Sequence, residues 1–574
     1  MDYATLAALY DLLEQTPQRL KKTEHIAEFL RACSDTDIVP VVLLLQGIVY
    51  PIWDRRKLGF SSRSVVKAIA RASGVGEWDV ENTWRSTGDL GECARKMLAL
   101  KRQRTLFSEK LTVTKVFATL RKLASTEGES SVDAKVGLVS ELLTSAELRE
   151  ATFIVRTVLD ELRIGLGDGT LRDALLAAFA AVSREDREAY TEAIDKIQRA
   201  LDICNDFGIV AAALKKGGLA GLQDIALAVG VPLQVMLALK ERTMADAFER
   251  VGTPAVLEYK LDGFRLQIHK KRNEVTLFTR RLENVTEQFP DVVRAMSAID
   301  AVDCILDCEV VGVDAAGKFL SFQHISQRIK RKHDIAEVAL TIPVQVHVFD
   351  ILYNDGSLLE KPFSERRAIL ERVVRENSVV QLMKHVRCDT EEAAQAFYQQ
   401  SLALGNEGIM FKKLDAAYQP GARVGSMVKM KPILETLDLV IVGAEWGEGK
   451  RSAWLSSYTV GCRNGDLLGD GLLDAHGLLE IGRVSTGLKE KPEEGLSFGQ
   501  VSELLKPLVT STTGKNVVVT PRLVIEVAFE EIQKSSSYGS GYALRFPRVV
   551  RLREDRDEKS CSTITDVKRI FEEQ

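Results

Sequence analysis

Cysteine is scarce and unorganised in this chain of 574 residues, with eight in all. The closest pair, Cys304 and Cys308, lacks zinc-finger spacing, which argues against a disulfide framework or a structural zinc and for a reducing interior. No apolar run is long enough to span a bilayer. A dominant charge is missing too: 77 Lys and Arg against 81 Asp and Glu leave a net charge of −4, with a pI near 6.1. Any grip on an anionic polymer must therefore come from local patches, such as KKTEH at Lys21, RKMLALKRQR from Arg95, HKKR at His269 and RIKRK at Arg328. Each of these alone reads first as a solvated face. Short-period repeats are absent. The opening MDYATLAALYDLLEQTPQRLKK carries acid early in an amphipathic pattern, which predicts a helix in place of a signal peptide. Cytoplasm is the expected location.

What is present is an ordinary globular composition, 45% hydrophobic and 28% charged, on a length that implies about three to four domains. Residues 1–235 read as nearly all helix, with apolar residues at three-and-four spacing as in EATFIVRTVLDELRIGLGDGTLRDALLAAFAAV. The character changes near Pro254, where short alternating strands (AVLEYKLDGFRLQIHK, EVTLFTRR, CILDCEVVGV, PVQVHVFDILYN, GIMFKKL) are interleaved with helical stretches. This predicts an α+β domain over 236–432. Evenly spaced strands with glycine-rich turns then fill 433–574, which fits a small closed β-barrel of the OB-fold kind.

Chemistry concentrates in EYKLDGFRLQIHK, Glu258–Lys270. On a strand, Glu258, Lys260 and Asp262 share one face, and Gly263 follows. A solvated strand edge is the plain alternative, since lysine is common there. The pattern Lys260-x-Asp262-Gly263-x-Arg265 recurs by chance on the order of once in 100,000 windows. Its company in the same domain decides: Arg280 in TRRLENVTEQFP, Glu309 inside the apolar LDCEVVG, Phe349 in VFDILY, Glu407 in NEGIMFKK, and Lys429 and Lys431 two apart in VKMKP.

In that order the set resembles the covalent nucleotidyltransferases, and most closely the ATP-dependent DNA ligases of the archaeal and eukaryotic replicative type. The resemblance extends through LDELRIGLGDGTLRDAL in the helical region, which is similar to a ligase DNA-binding domain, and through the C-terminal EVAFEEIQKSSSYGSGYALRFPRVVRLRED. That tail sets it apart from RNA ligases and capping-type nucleotidyltransferases, the alternative enzymes on the same core. A non-catalytic scaffold and an NAD-dependent ligase are the other rivals. The second would need a nicotinamide-binding region and a cysteine-rich zinc site, neither of which is visible.

The resemblance implies that Lys260 attacks the α-phosphate of ATP, that AMP passes to the 5′-phosphate of nicked duplex DNA, and that the 3′-hydroxyl then expels AMP. Lysine attacks phosphorus only as the free amine, and Lys429, Lys431, Arg265, Arg280 and a bound metal would favour that form by crowding it with positive charge. By the same resemblance, Glu258 reads the adenine edge and Phe349 stacks on the ring. Glu309 lies near the ribose, and Glu309 and Glu407 suit Mg²⁺ or Mn²⁺. Arg423 reaches the nucleotide, and Met427 stands where the family usually has tryptophan. Arg545 and Arg548 would orient the pyrophosphate. QRTLF resembles a clamp-binding motif in which Gln103, Leu106 and Phe107 would plug into a sliding clamp. A monomer is expected, acting on DNA in replication, repair and recombination inside a prokaryotic cell.

Overall fold

The three-and-four periodicity of the first third folds as expected, into α-helices running from Tyr3–Gln15 to Phe207–Gly217. A computed structural model describes residues 1–573 except 101–109, 129–130, 181, 184, 315–316, most of 321–340, 433–435 and 466–476. Caps stop and start these helices where the sequence supplies them. The Ser61 hydroxyl accepts from the Ser64 N–H at the head of Ser62–Ser73, and Gly74 ends that helix in the left-handed region. One apolar core joins the helices, with Tyr3, Tyr10 and Phe153 fully buried in it. Arg156 is buried there too, and it is compensated by Asp89 at 2.7 Å and Glu14 at 2.8 Å.

The chain divides into two compact units, Met1–Lys431 and Pro432–Gln574. After its helices, the first unit builds two sheets. One has the order β1 (Leu237–Lys240), β11 (Arg423–Met430), β10 (Gly408–Lys413), β2 (Ala255–Lys260), β9 (His385–Cys388), antiparallel except for β1 with β11. The other runs β4 (Glu274–Thr279), β3 (Phe264–Lys271), β5 (Asp303–Val313), β7 (Val344–Asn354), β8 (Val380–Leu382), with the short β6 (Phe319–Leu320) beside β5. Helices Met244–Val251 and Glu391–Ala403 share a core with the first sheet. Helices Pro290–Ala295 and Phe363–Val373 share one with the second. β2 and β3 are separated by only Leu261–Gly263, so the Lys-x-Asp-Gly turn is the point where the chain crosses between sheets.

In the second unit, β12 (Thr436–Trp446) is the spine. It pairs with β13 (Leu455–Arg463) on one side and with β16 (Asn516–Val519) and β17 (Val524–Ala528) on the other. β14 (Leu478–Val484), β15 (Val509–Thr513) and β20 (Arg548–Leu552) extend the sheet to seven strands. β18 (Glu531–Lys534) and β19 (Tyr542–Arg545) form a separate hairpin. All eight cysteines are unpaired and buried. Among the described residues, no helix is long and apolar enough to cross a membrane.

Candidate active site

The β2 face carrying Glu258 and Lys260 is set by its antiparallel register with β10, which places Gly408 opposite Lys260 and Met410 opposite Glu258. Glu407, just before β10, donates its backbone N–H to the Lys260 carbonyl at 2.8 Å. Its carboxylate oxygen Oε2 then lies 2.6 Å from Lys260 Nζ and 2.7 Å from Lys431 Nζ. Burial works to raise the Glu407 carboxyl, but the two ammoniums outweigh it and hold it at about 2. The surroundings of Lys260 thus differ from the all-cation shell that the sequence implies: a carboxylate is its nearest charged neighbour, shared with a second lysine.

Two glycines make this approach possible. Gly408 has φ +140°, and a Cβ there would stand 2.1 Å from the Met430 carbonyl oxygen. At Gly263 a Cβ would meet the Val310 carbonyl oxygen at 2.3 Å and Glu309 Cγ at 3.0 Å. The missing side chain at Gly263 is therefore required by the β5 strand it crosses, where the sequence points to room for an incoming triphosphate.

Glu309 lies on β5, opposite Arg265 on β3 and His347 on β7. Burial pushes its carboxyl up to about 7, while Lys260 and Arg265 pull the other way and Glu407 adds to the rise. Glu309 and Glu407 thus share one electrostatic neighbourhood, and Glu309 is a half-buried carboxylate that Glu407 pushes further from its charged form. Mg²⁺ takes one or two carboxylates together with substrate phosphates, so this oxygen donor set fits the ion. No cluster of three His, Cys, Asp or Glu residues that would cage a metal by itself exists among the described residues.

Arg265 is committed to the protein. Its Nε and Nη2 donate to the two oxygens of Asp307 at 2.9 and 2.6 Å, and Nη1 donates to the Met236 carbonyl at 2.6 Å. Tyr418 completes the cluster by donating its hydroxyl to Asp307 at 2.8 Å. The guanidinium also lies 5.3 Å from the centre of the Phe349 ring. Lys412 of the first sheet reaches the same ring of the second, 4.6 Å from its centre. Lys412 Nζ is also 2.6 Å from Glu258, which is only 2% exposed.

Glu258, Lys260, Arg265, Glu309, Phe349, Glu407 and Lys431 are thus joined by contact or by charge. Lys429 is half-buried on β11, opposite Met410 on β10 and Lys240 on β1. Arg280, just after β4, and Arg423, at the start of β11, are exposed. Met427 is buried against Tyr418 and Leu352, filling its place as core. In the second unit, Arg545 pairs with Glu531 at 2.9 Å and Arg548 is exposed at the head of β20. Gln103, Leu106 and Phe107 lie outside the described residues.

Sequence reasoning missed Asp307, Lys412 and Tyr418. Asp307 had a signal, since it shares a strand face with Glu309 inside an apolar run.

Comparison with known proteins completes the picture. Residues 2–176 match the DNA ligase N terminus, 235–431 the ATP dependent DNA ligase domain, and 451–556 the ATP dependent DNA ligase C terminal region. A DNA ligase of Nanoarchaeum equitans is 47% identical, covering 100% of this chain and 99% of its own. DNA ligases of Archaeoglobus fulgidus and Thermococcus fumicolans are 40% and 38% identical, each covering 100% of this chain and 98% of its own. In fold alone, the chain is similar to the solved structure "Pmar-Lig_Pre", with TM-score 0.52 and 16% identity over 96% of this chain and 99% of that one. The chain belongs to the ATP-dependent DNA ligase family.

Proposed function

We propose that this ATP-dependent DNA ligase works through Lys260. The amine loses a proton and attacks the α-phosphorus of ATP, so that a P–N bond forms as the P–O bond to pyrophosphate breaks. AMP then moves to the 5′-phosphate of a nick. Attack by the 3′-hydroxyl forms the phosphodiester and releases AMP. The observation that supports this reading is the Lys260–Glu407–Lys431 bridge, in which the two ammoniums lie 2.6 and 2.7 Å from one carboxylate oxygen.

Lys429 and Lys431 would meet the triphosphate as point charges. Phe349 would stack on adenine and Glu258 would accept from the base. Arg265, anchored by Asp307, would keep the Phe349 ring in place, and Arg280 and Arg423 would close on the nucleotide from the surface. Glu309 and Glu407 would hold Mg²⁺ or Mn²⁺, which supplies charge neutralisation on phosphate oxygens. The test is mass spectrometry after incubation with ATP and magnesium. AMP on Lys260 is expected, with none on Lys260→Ala protein, and an adduct on another side chain would overturn the assignment.

The domain reading goes with it: helical DNA-binding 1–235, adenylation 236–432 and an OB-fold 433–574, in which β12 of the second unit would be the barrel's spine. Arg545 would have to leave Glu531 before it could orient pyrophosphate with Arg548. Nicked duplex would be gripped through phosphates, with affinity falling steeply as salt rises. Gln103, Leu106 and Phe107 would engage a sliding clamp, and undiminished clamp pull-down by folded Phe107→Ala protein would end that proposal. The enzyme would act as a monomer inside the cell.

A further inference from the structure

Lys412 has no part in the proposed steps, and yet it is a buried cation paired with a carboxylate of the site. It is 93% buried, its ammonium lies 4.6 Å from the Phe349 ring centre and 4.7 Å from that of Phe363, and it forms a 2.6 Å ion pair with Oε2 of Glu258. The other oxygen of Glu258, Oε1, is buried without a hydrogen-bond partner among the described residues. Lys412 Nζ is likewise buried without a hydrogen-bond partner among the described residues, so the pair holds by charge at Oε2 and leaves Oε1 as a buried acceptor whose lack of a partner is costly.

We propose that Lys412 determines which nucleotide the enzyme accepts. By holding Oε2, it keeps Glu258 an acceptor-only carboxylate and leaves Oε1 for the exocyclic amine of the base. The proposal rests on the reading above in which Glu258 meets the base. An ionised carboxylate takes a hydrogen bond from the 6-amino group of adenine and repels the 6-oxo group of guanine or hypoxanthine. Protonated, the same group becomes a donor and welcomes the oxo base. Selectivity therefore hangs on the charge of one residue, and burial alone opposes that charge.

The neighbours make Lys412 the decisive group. On β7, Asp350 faces Glu258 with a like charge, but its own oxygens are taken by Arg366 Nε and Nη2 at 2.8 and 2.9 Å. From helix Phe363–Val373, Arg367 contributes positive charge at longer range while its Nε is bound to Glu371 at 2.8 Å. His385 pairs with Glu258 in register on β9, and burial keeps its imidazole below the usual histidine range. Burial raises the Glu258 carboxyl, with Lys412 the largest influence pulling it down. Removing Lys412 leaves burial and Asp350 opposed only by Arg367.

The test compares uptake of α-labelled ATP and GTP into the lysyl–nucleotide by wild type, Lys412→Met, Lys412→Arg and Glu258→Gln between pH 6 and 8.5. In Lys412→Met, the ATP-to-GTP ratio should fall on the order of a hundredfold, part of the roughly 10⁴–10⁵ by which a site built to hydrogen-bond one polar group can reject its analogue. The loss should be greatest at the acid end and recover as pH rises. Lys412→Arg should keep the wild-type ratio and pH profile. A Lys412→Met protein that labels poorly with both nucleotides at an unchanged ratio would show a structural role only and overturn the proposal. If that variant does not fold, the arginine variant decides: a ratio and profile unlike the wild type would overturn it. A collapsed ratio in Glu258→Gln with an intact one in Lys412→Met defeats the proposal alone. An intact ratio in Glu258→Gln defeats the underlying reading of Glu258.

Discussion

Replacing Asp307 by asparagine should damage the site without touching any group that meets substrate. Asp307 is fully buried, and its two oxygens accept Arg265 Nε at 2.9 Å, Arg265 Nη2 at 2.6 Å and the Tyr418 hydroxyl at 2.8 Å. An amide retains one oxygen and turns the other position into an N–H donor, which would face either a guanidinium N–H or a guanidinium and a hydroxyl together. The guanidinium is then buried with half its counter-ion gone. Breaking a buried pair from one side costs about 3–5 kcal/mol. For a domain of 150–250 residues, each kcal/mol lowers Tm by about 2–4 °C, so the region 235–431 of Asp307→Asn should melt about 6–20 °C early. Near-UV circular dichroism of the full chain reads this, and Tyr418→Phe, which removes one hydroxyl, should shift Tm by a fraction of that. Adenylate formation should fall alongside, because Arg265 lies 5.3 Å from the Phe349 ring centre. An Asp307→Asn protein melting within two or so degrees of wild type would refute the claim that this pair is a structural anchor.

Glu407→Gln should cut adenylate formation by about a hundredfold or more, as loss of a charge placed at a phosphoryl-transfer site does, and a near-normal single-turnover rate would remove Glu407 from the site. Gly408→Ala, forced into φ +140° against the Met430 carbonyl at 2.1 Å, should cost about 2–5 kcal/mol, read as a lowered Tm; an unchanged melt would mean that β10 can shift. Burial pushes His269 down to about 3 and His347 down to about 4, and His269 Nδ1 accepts the Gly230 N–H at 3.0 Å. An unfolded histidine takes up its proton near pH 6.5, so the stability these residues contribute is complete above about pH 6.5 and is lost as pH falls, by about 2 kcal/mol each at pH 5. The gap between urea midpoints at pH 7 and pH 5 should narrow in His269→Gln protein, with the share of His347 remaining, and an unaltered gap would count against this account.

Residues whose partners lie near in sequence, or whose type alone names a chemistry, were legible in advance. The alternation in AVLEYKLDGFRLQIHK pointed to one strand and so gave the face shared by Glu258 and Lys260, but the chain breaks at Leu261–Gly263 into β2 and β3 of different sheets, which leaves Asp262 in the turn. The helical first third was plain from its spacing. The β15–β16 hairpin was not, because VTSTT and NVVV lack a clean apolar alternation. Arg265 was expected to crowd Lys260 with positive charge beside the nucleotide; its bidentate partner Asp307 lies 42 residues away and Tyr418 lies 153 away. Lys412 looked like one of two lysines ending a strand, and nothing in FKKL shows that one points inward to a carboxylate on β2. Local patterns carry faces and turns, whereas the pairing of buried charges is decided by tertiary register.

The carboxylate of Glu407 ties the two lysines of the site to one another. With one oxygen latching both Lys260 and Lys431, the proposed nucleophile would be held as a paired ammonium until that pairing is broken. A small carbamylating agent would find that amine tethered. An arriving triphosphate, drawing Lys431 toward its phosphates, would loosen the latch on the attacking group in the same movement. Under the proposed mechanism, arming and loading would become a single event, with Lys260 freed as Lys431 turns to the phosphates.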